Sequence, residues 1–295
     1  MKLERRNVMD PKVFKLDINS EEYPQCLKEI KDPPAQLYCS GDISLLHDRS
    51  IAVIGSRKYT MYGKTVALMI GKRLAECGVT VVSGLAIGID AFAHMGALEV
   101  RGRVIGVLGG GIYCMGPRSN YELMMRGLEA GGLVVSEYEP DMPAKAYNFP
   151  KRNRIISGLA EAVVVVEARV SSGSLITAQF AAEQGRSVYA VPGNINSQFS
   201  AGSNLLIRDG AYPLIVIDDA VRDLGIETEP EAEVSCRLEG DELKVYKAVS
   251  GYNGISADKV CAECGMNAAA VNSLVTVMEI KGVLQTYAGK IYLAK

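Results

Sequence analysis

Short apolar runs alternate with longer helical stretches along most of this chain, beginning at residue 51. Short apolar runs bounded by turn residues are typical of strands buried on both faces of a parallel sheet. Strands that alternate with helices predict an α/β protein with a doubly wound, mostly parallel sheet. The predicted strands are Ile51–Ile54, Val79–Val82, Val104–Leu108, Leu133–Val135, Ala162–Val166, Ser187–Val191 and Leu214–Ile217. The predicted helices are Met61–Cys77, Ile89–Val100, Tyr121–Ala130 and Leu175–Gln184.

The pattern changes after this region. Residues 226–239 carry alternating glutamates and a proline, which predicts an acidic linker. The segments that follow predict three helices and a terminal hairpin, the layout of a small winged-helix domain. They are Asp241–Val249, Ser256–Glu263, Ala268–Ile280, Val283–Tyr287 and Ile291–Leu293. The predicted organisation is therefore a lead-in of unclear fold at 1–50, the sheet domain at 51–225, the linker at 226–239 and the winged helix at 240–295.

Composition limits the possible functions. The chain has 295 residues and a formal net charge of −2, so any binding of nucleic acid has to be local. No apolar stretch approaches bilayer length, which predicts a cytoplasmic protein without a membrane partner. The seven cysteines are scattered, and the CxxC pair Cys261 and Cys264 has no second pair to complete a zinc site. We expect ordinary packing for that pair, and no metal or other cofactor.

The loops that follow the predicted strands are rich in glycine and serine. In a doubly wound sheet these loops share the carboxyl edge, where ligands bind. Glycine allows a ligand close to the backbone, and the amides of helix N-termini attract anions. Tight turns need glycine in any case, but several on one edge favour a phosphate-binding site. The loops are Gly55-Ser-Arg57, Ser83–Asp90, Gly109–Gly111, Ser171–Ser174 and Pro192–Asn194.

Three cations lie within four residues, directly before an apolar run. Lys151, Arg152 and Arg154 belong to the segment from Asn148 to Leu159. Lys and Arg are rarely buried unless paired, so this cluster suggests a surface that holds an anion. The alternative is an ordinary solvated start of a helix. Phe149 or Tyr147, beside the cluster, is a candidate for stacking on a base.

Familiar enzyme motifs are missing. Gly63-Lys-Thr65 resembles the end of a P-loop, but Lys58 occupies the position of the motif's first glycine. No G-x-G-x-x-G with a later acid follows a strand, and there is no G-x-S-x-G elbow. Asp90 and His94 are four residues apart on one predicted helix and could form an acid–base pair. The alternative is that Asp90 binds amides near the helix start and His94 fills a polar niche.

Together these motifs resemble the DprA/Smf family of DNA-processing proteins. The resemblance runs from about Tyr23 to the C-terminus. It is carried by Tyr23-Pro24, Asp32-Pro-Pro34, Gly55-Ser-Arg57, Ser83–Asp90 with Ala93-His94, Leu108–Gly111, Phe149–Gly158, Ser172–Thr177 and Val191–Asn194.

The resemblance implies a Rossmann-like domain that binds single-stranded DNA, forms a homodimer and helps to load the recombinase RecA during natural transformation. It also implies that Arg57 and the block from Lys151 to Arg154 lie at the DNA pocket. Together with the glycine-rich loops and Phe149, the predicted DNA-binding residues are Gly55, Ser56, Arg57, Ser83, Gly84, Phe149, Lys151, Arg152, Asn153, Arg154, Ser172, Gly173, Ser174 and Asn194. Many relatives carry a further helical domain at the N-terminus. About fifty residues precede the first predicted strand, so we expect that domain to be missing or shortened.

A nucleotide-processing enzyme of the lysine-decarboxylase-like phosphoribohydrolase type is the alternative. Those enzymes have a P-G-G-x-G-T pattern followed by a catalytic acid. Gly109-Gly-Gly111 lacks the proline and the threonine, and no acid follows Ser172–Thr177 before Glu183. We therefore expect a binding protein rather than an enzyme. The third winged-helix segment, Ala268–Ile280, has no Lys or Arg, which favours a protein contact over duplex reading.

Overall fold

A computed structural model describes residues 11–114, 118–226, 238–252, 254–280, 283–287 and 289–293. Contacts divide the chain into two compact units, one within residues 1–227 and the other within residues 228–295. Most of the predicted acidic linker, residues 227–237, lies outside the described residues.

The first unit is built on a nine-stranded sheet in the order β1-β2-β6-β5-β4-β3-β7-β8-β9. The segment from β6 to β9 is parallel throughout, whereas β1 and β2 form an antiparallel pair that joins β6 antiparallel. The predicted mostly parallel α/β sheet is confirmed. The strands are β1 Phe14–Asp17, β2 Gln36–Gly41, β3 Ser50–Ile54, β4 Thr80–Ser83, β5 Val104–Leu108, β6 Leu133–Ser136, β7 Ala162–Val165, β8 Ser187–Ala190 and β9 Tyr212–Pro213.

Helices cover both faces of the sheet. One core cluster joins the sheet to α2, α3 and α8, and another joins it to α5, α6 and the N-terminal segment. Such two-sided cover explains why the central strands are apolar along their whole length. The helices of this unit are α1 Gln25–Lys28, α2 Met61–Glu76, α3 Ile89–Glu99, α4 Arg118–Glu129, α5 Asn148–Leu159, α6 Gly173–Glu183, α7 Ala201–Arg208 and α8 Ile217–Arg222.

The described part of the predicted lead-in belongs to the sheet. Tyr23, Leu27 and Leu37 are buried in the same core cluster as α5. The Tyr23 hydroxyl donates to the carbonyl of Pro34 at 2.7 Å, which satisfies its one polar atom inside that core. Residues 11–50 therefore add two strands to one end of the parallel sheet.

The predicted strand at Leu214–Ile217 is wrong. The last strand of this unit is Tyr212–Pro213, and α8 begins at Ile217. Proline has no N–H to donate to a ladder, so Pro213 is suited to a strand end at the sheet edge. Asp218 and Asp219 in the first turn favour a helix, because carboxylates are stabilised near the positive N-terminal end.

The second unit is a winged helix, as predicted. The helices are α9 Gly240–Ser250, α10 Ala257–Cys264 and α11 Ala268–Ile280, and the strands β10 Leu284–Tyr287 and β11 Lys290–Leu293 form an antiparallel hairpin. Val245, Val260 and Val271, one from each helix, meet in its core. No single helix among the described residues is long and apolar enough to span a membrane. The α10–α11 pair reaches the required length only jointly, with a bend of 108°.

His94 on α3 is a buried histidine, with 1% of its surface exposed. Neither ring nitrogen has a hydrogen-bond partner within the described part of the chain. Burial lowers the pKa of His94 to about 4. Because an exposed histidine has a pKa of about 6.5, the unfolded chain binds a proton that the folded chain does not bind between these values. The free energy of unfolding should therefore decrease as the pH falls from about 6.5 to about 4.

His94→Leu removes this titration and should flatten the pH profile of stability. Near pH 5 the unaltered chain should have lost roughly 2 kcal/mol relative to neutral pH that the variant keeps. Urea unfolding of both proteins at a series of pH values measures the difference. Parallel pH profiles for the two proteins would contradict a depressed histidine pKa.

Candidate nucleic-acid interface

A cavity of about 520 Å³ opens at the carboxyl ends of β3 and β7. The chain leaves β3 in one direction along the sheet and later returns beside it as β7. Such a switch point is where doubly wound sheets bind their ligands. The predicted site residues that line the cavity are Gly55, Ser56, Arg57, Phe149, Arg152, Asn153, Ser172, Gly173 and Ser174.

One buried carboxylate holds the loop between β3 and α2. Glu167 follows β7, and its carboxylate accepts hydrogen bonds from the Thr60 amide at 2.9 Å and the Thr60 hydroxyl at 2.6 Å. Its backbone carbonyl accepts from the Ser56 amide at 2.8 Å. These bonds fix the loop at both ends, and Arg57 and Lys58 lie exposed between them at the cavity.

A buried charged pair, Arg152 and Asp90, forms the inner wall. Asp90 accepts hydrogen bonds from the amides of Gly55 and Gly84 at 3.3 and 3.1 Å. Arg152 donates to the carbonyls of Gly84, at 2.9 Å, and Val107. Burial lowers the pKa of Arg152 to about 10, so the guanidinium remains charged at neutral pH. Burial raises the pKa of the Asp90 carboxyl, and the positive charge of Arg152 opposes that rise.

Asp90 and His94 do not form an acid–base pair. The two oxygens of Asp90 accept the two backbone amides, and the ring nitrogens of His94 contact no polar partner among the described residues. Asp90 therefore binds amides near the start of α3, as the alternative interpretation predicts. His94 lines a small, mostly apolar cavity, and backbone groups of Val81 and Ile105 lie near its ring.

Of the predicted cationic surface at Lys151, Arg152 and Arg154, the two arginines are buried. Arg154 is 4% exposed and donates to the Glu137 carboxylate at 2.6 Å and to the Asp32 carbonyl at 2.8 Å. Arg152 is equally buried. With 3.6 residues per turn, positions 152 and 154 point about 200° apart on α5, so they cannot share one face.

Lys151 is half exposed, and its ammonium group lies 3.5 Å from the Glu137 carboxylate. Lys151 and Arg154 line neither this cavity nor a smaller recess of about 180 Å³ that lies beside it. The same holds for Ser83, whose hydroxyl donates to the Val53 carbonyl at 2.7 Å, and for Asn194, which is exposed.

Two cavity cations were missed by the sequence analysis. Lys58 and Arg169 line the cavity together with Arg57. The Arg169 guanidinium lies 4.5 Å from the centre of the Phe199 ring, a cation–π contact. Both residues come within a few positions of the carboxyl ends of β3 and β7. Once the strand order is known, that location identifies them.

Two helices begin at the cavity. The α6 helix starts at Gly173, and the hydroxyl oxygen of Ser172 accepts a hydrogen bond from the Ser174 amide as its N-cap. Phe149 and Pro150 in the first turn of α5 also line the wall. Neither helix has an acid in its first turn. Their positive N-terminal ends therefore add to the field of the cations and favour a phosphate.

A smaller recess of about 180 Å³ lies beside the cavity. The Arg57 guanidinium lies 5.2 Å from the centre of the Phe149 ring, and both residues line both spaces. Gly84 lines the recess, and Leu85 and Leu108 give it an apolar wall. A side chain at Gly109 would collide with the Phe149 ring, since a Cβ there would lie 2.8 Å from its Cδ1 atom.

Comparison with known proteins supports the resemblance. Residues 15–225 match the family model for DNA recombination-mediator protein A, and residues 229–290 match the DprA winged helix domain. Protein Smf of Escherichia coli is 44% identical over 229 residues, which are 77% of this chain and 61% of that protein. DNA processing protein DprA of Bacillus subtilis is 42% identical over 71% of this chain and 70% of its own length.

Two solved structures are similar as well. The X-ray structure of DprA from Streptococcus pneumoniae matches with a TM-score of 0.68 and 39% identity, over 74% of this chain and 76% of that one. DprA from Helicobacter pylori, whose structure concerns its mode of binding single-stranded DNA, matches with a TM-score of 0.65 and 30% identity, over 72% and 95%. This chain therefore belongs to the DprA/Smf family of DNA-processing proteins.

Proposed function

We propose that this protein binds single-stranded DNA at the cavity between β3 and β7. The supporting observation is that Arg57, Lys58 and Arg169 meet two helix N-termini in one concave space at the switch point. Cations and helix N-termini both stabilise phosphate. The Helicobacter pylori relative, described as a binder of single-stranded DNA, is consistent with this ligand.

The shape of the site favours an unpaired strand over a duplex. A cavity lined by Arg57, Lys58 and Arg169 lies directly beside a recess with an apolar wall, and Phe149 lines both. A nucleotide has an anionic part and an apolar ring, and its base can turn aside only when it is unpaired. Stacking on aromatic rings tolerates every base, so sequence preference should be weak.

The predicted site residues now fall into different proposed roles. Arg57, Ser172, Gly173 and Ser174 lie where a phosphate would bind, whereas Arg152 holds the inner wall. Ser83 and Arg154 act by positioning, because their polar atoms bind the protein itself. Direct DNA contact by Lys151 and Asn194 stays a prediction.

We favour a binding protein over the phosphoribohydrolase alternative. Asp90 is the sole acid among the described residues that line the cavity. Two backbone amides already occupy its oxygens, and Arg152 pairs with its charge. Such a carboxylate is poorly placed to transfer a proton to a substrate.

A role in loading the recombinase RecA, in DNA recombination and natural transformation, is the further part of the proposal. It rests on family membership, since relatives from Bacillus subtilis and Streptococcus pneumoniae are DNA processing proteins. We assign the winged helix a protein contact. Its third helix, α11, has Glu279 as its one charged residue and offers no cation to phosphate.

A homodimer of the first unit completes the proposal. Tyr212, Ile215 and Val216 are exposed near the edge strand β9, and Ile215 has 72% of its surface accessible. Exposed apolar side chains that are adjacent in this way mark association surfaces. A dimer would present two cavities to one strand and so raise the effective concentration of the second contact.

Arg57→Ala should weaken binding of a single strand and make it less sensitive to salt. Each phosphate contact that is lost should reduce the slope of log affinity against log salt by about 0.7. Anisotropy titrations across a salt series measure both quantities. Arg208→Ala is the matched control, because Arg208 is an exposed arginine on α7 outside the cavity lining. Equal slopes for the two variants would refute the assigned site.

Removal of every residue after Gly225 should leave single-strand affinity within a few-fold of the full chain. The cavity cations all lie in the first unit, and α11 provides none. Anisotropy at one fixed salt concentration compares the two proteins. A loss of more than tenfold, about 1.4 kcal/mol, would assign DNA contacts to the winged helix.

Ile215→Glu should convert the dimer into a monomer, because a buried charge without a partner opposes association. Light scattering at micromolar concentration gives the mass of each protein. Ile195→Glu is the control, since Ile195 is fully exposed in the loop after β8. A native chain that is already monomeric, or an Ile215→Glu variant that remains dimeric, would reject this interface.

A further inference from the structure

An exposed aromatic surface lies directly beside the cavity. It consists of Tyr59, Met61 and Tyr62 at the start of α2, and we name it the aromatic shelf. These side chains are 42%, 70% and 50% exposed. Large apolar side chains that are exposed together on a soluble protein mark an interaction site. The shelf is therefore a candidate binding surface for a partner.

The rings of the shelf are held in place before any partner binds. The Tyr59 ring meets the Phe92 ring of α3 edge to face, with centroids 4.7 Å apart and planes at 84°. The Tyr62 hydroxyl donates to the carbonyl of Pro192, in the loop after β8, at 3.1 Å. Thr60 between them is bound to Glu167. Rings fixed in this way lose little entropy when a ligand stacks on them.

The charges that flank the shelf along the chain are positive, and Glu167, which binds Thr60, is buried. Lys58 precedes it and Lys64 follows it, with the Lys64 ammonium 5.3 Å from the centre of the Phe92 ring. No acid occurs from residue 55 to residue 75. On α3, Asp90 is buried and Glu99 lies at the far end. Aromatic residues between cations suit a polyanion that carries flat rings.

The shelf is continuous with the cavity through the chain itself. Lys58 lines the cavity, and Tyr59 is the next residue. A strand whose phosphate occupies the cavity would pass over the shelf as it leaves on the α2 side.

We propose that Tyr59 and Tyr62 stack with unpaired bases of a single strand that continues beyond the cavity. This inference rests on the proposed function and extends it, because it adds a base-binding surface to the phosphate site. The occupant is single-stranded nucleic acid longer than the cavity alone can hold. Affinity for a long strand therefore depends on the shelf, and affinity for a dinucleotide does not.

A fluorescent reporter tests the contact directly. The chain contains no tryptophan, so Tyr59→Trp introduces a single one. A long oligothymidylate should quench its emission by stacking, whereas a dinucleotide should leave the emission unchanged. Emission that neither ligand alters would overturn the proposal.

Affinities give the second test. The double variant Tyr59→Ala, Tyr62→Ala should bind the long oligothymidylate at least tenfold more weakly than the native chain, since each stacked base contributes about that factor. The matched variant Tyr59→Phe, Tyr62→Phe keeps both rings and should bind normally. Thermal melting of both variants verifies that they are folded.

An abasic strand of the same length separates bases from phosphates. The double alanine variant should bind this strand as well as the native chain does. An equal loss on abasic and thymidylate strands, or no loss on either, would overturn the shelf as a base platform. If the native chain and Arg57→Ala bind all strands equally weakly, the proposed function fails first, and the role of the shelf fails with it.

Discussion

The buried pair of Arg152 and Asp90 organises the carboxyl edge of the sheet. Asp90 gathers the amides of the loops that follow β3 and β4, and Arg152 binds carbonyls that follow β4 and at the end of β5. Three neighbouring strands thus end on two buried side chains of opposite charge. Loss of one partner from a buried pair leaves an uncompensated charge, which typically costs about 3–5 kcal/mol. The shape of the cavity therefore depends on two charges that face the protein rather than the solvent.

Because Arg152 and Asp90 are buried, the accessible charge at the cavity comes from the outer loops. Arg57 and Lys58 come from the loop after β3, and Arg169 from the loop after β7. They reach solvent from the two sides of the switch point. Local density of cations in the sequence was a poor guide to this arrangement, because Arg152 and Arg154 on α5 are buried, whereas the accessible cations of the cavity come from loops.

Periodicity was sufficient to predict the parallel strands β3 to β8, the helices α2, α3, α4 and α6, and the winged helix. It failed where elements are short or where an edge alters the environment. β1 has four residues and α7 has eight, too few for a clear pattern. At the candidate site, Gly55–Arg57 and Ser172–Ser174 were found because glycine-rich turns at strand ends have a local signature. Lys58 and Arg169 were missed because their proximity depends on strand order, which no local pattern encodes.

At the proposed site for a polyanion, a count of charges gives the wrong expectation for Glu167. An acid beside a phosphate site is expected to repel the phosphate, so its removal is expected to strengthen binding. Its carboxylate, however, holds Thr60, and its carbonyl holds Ser56, so it anchors the segment that carries Arg57, Lys58 and Tyr59. A substitution at Glu167 would therefore weaken binding in the same way as a substitution of Arg57 or Lys58. In a genetic screen it would be scored with alleles of the proposed DNA-contact residues, although its own carboxylate binds Thr60 within the protein.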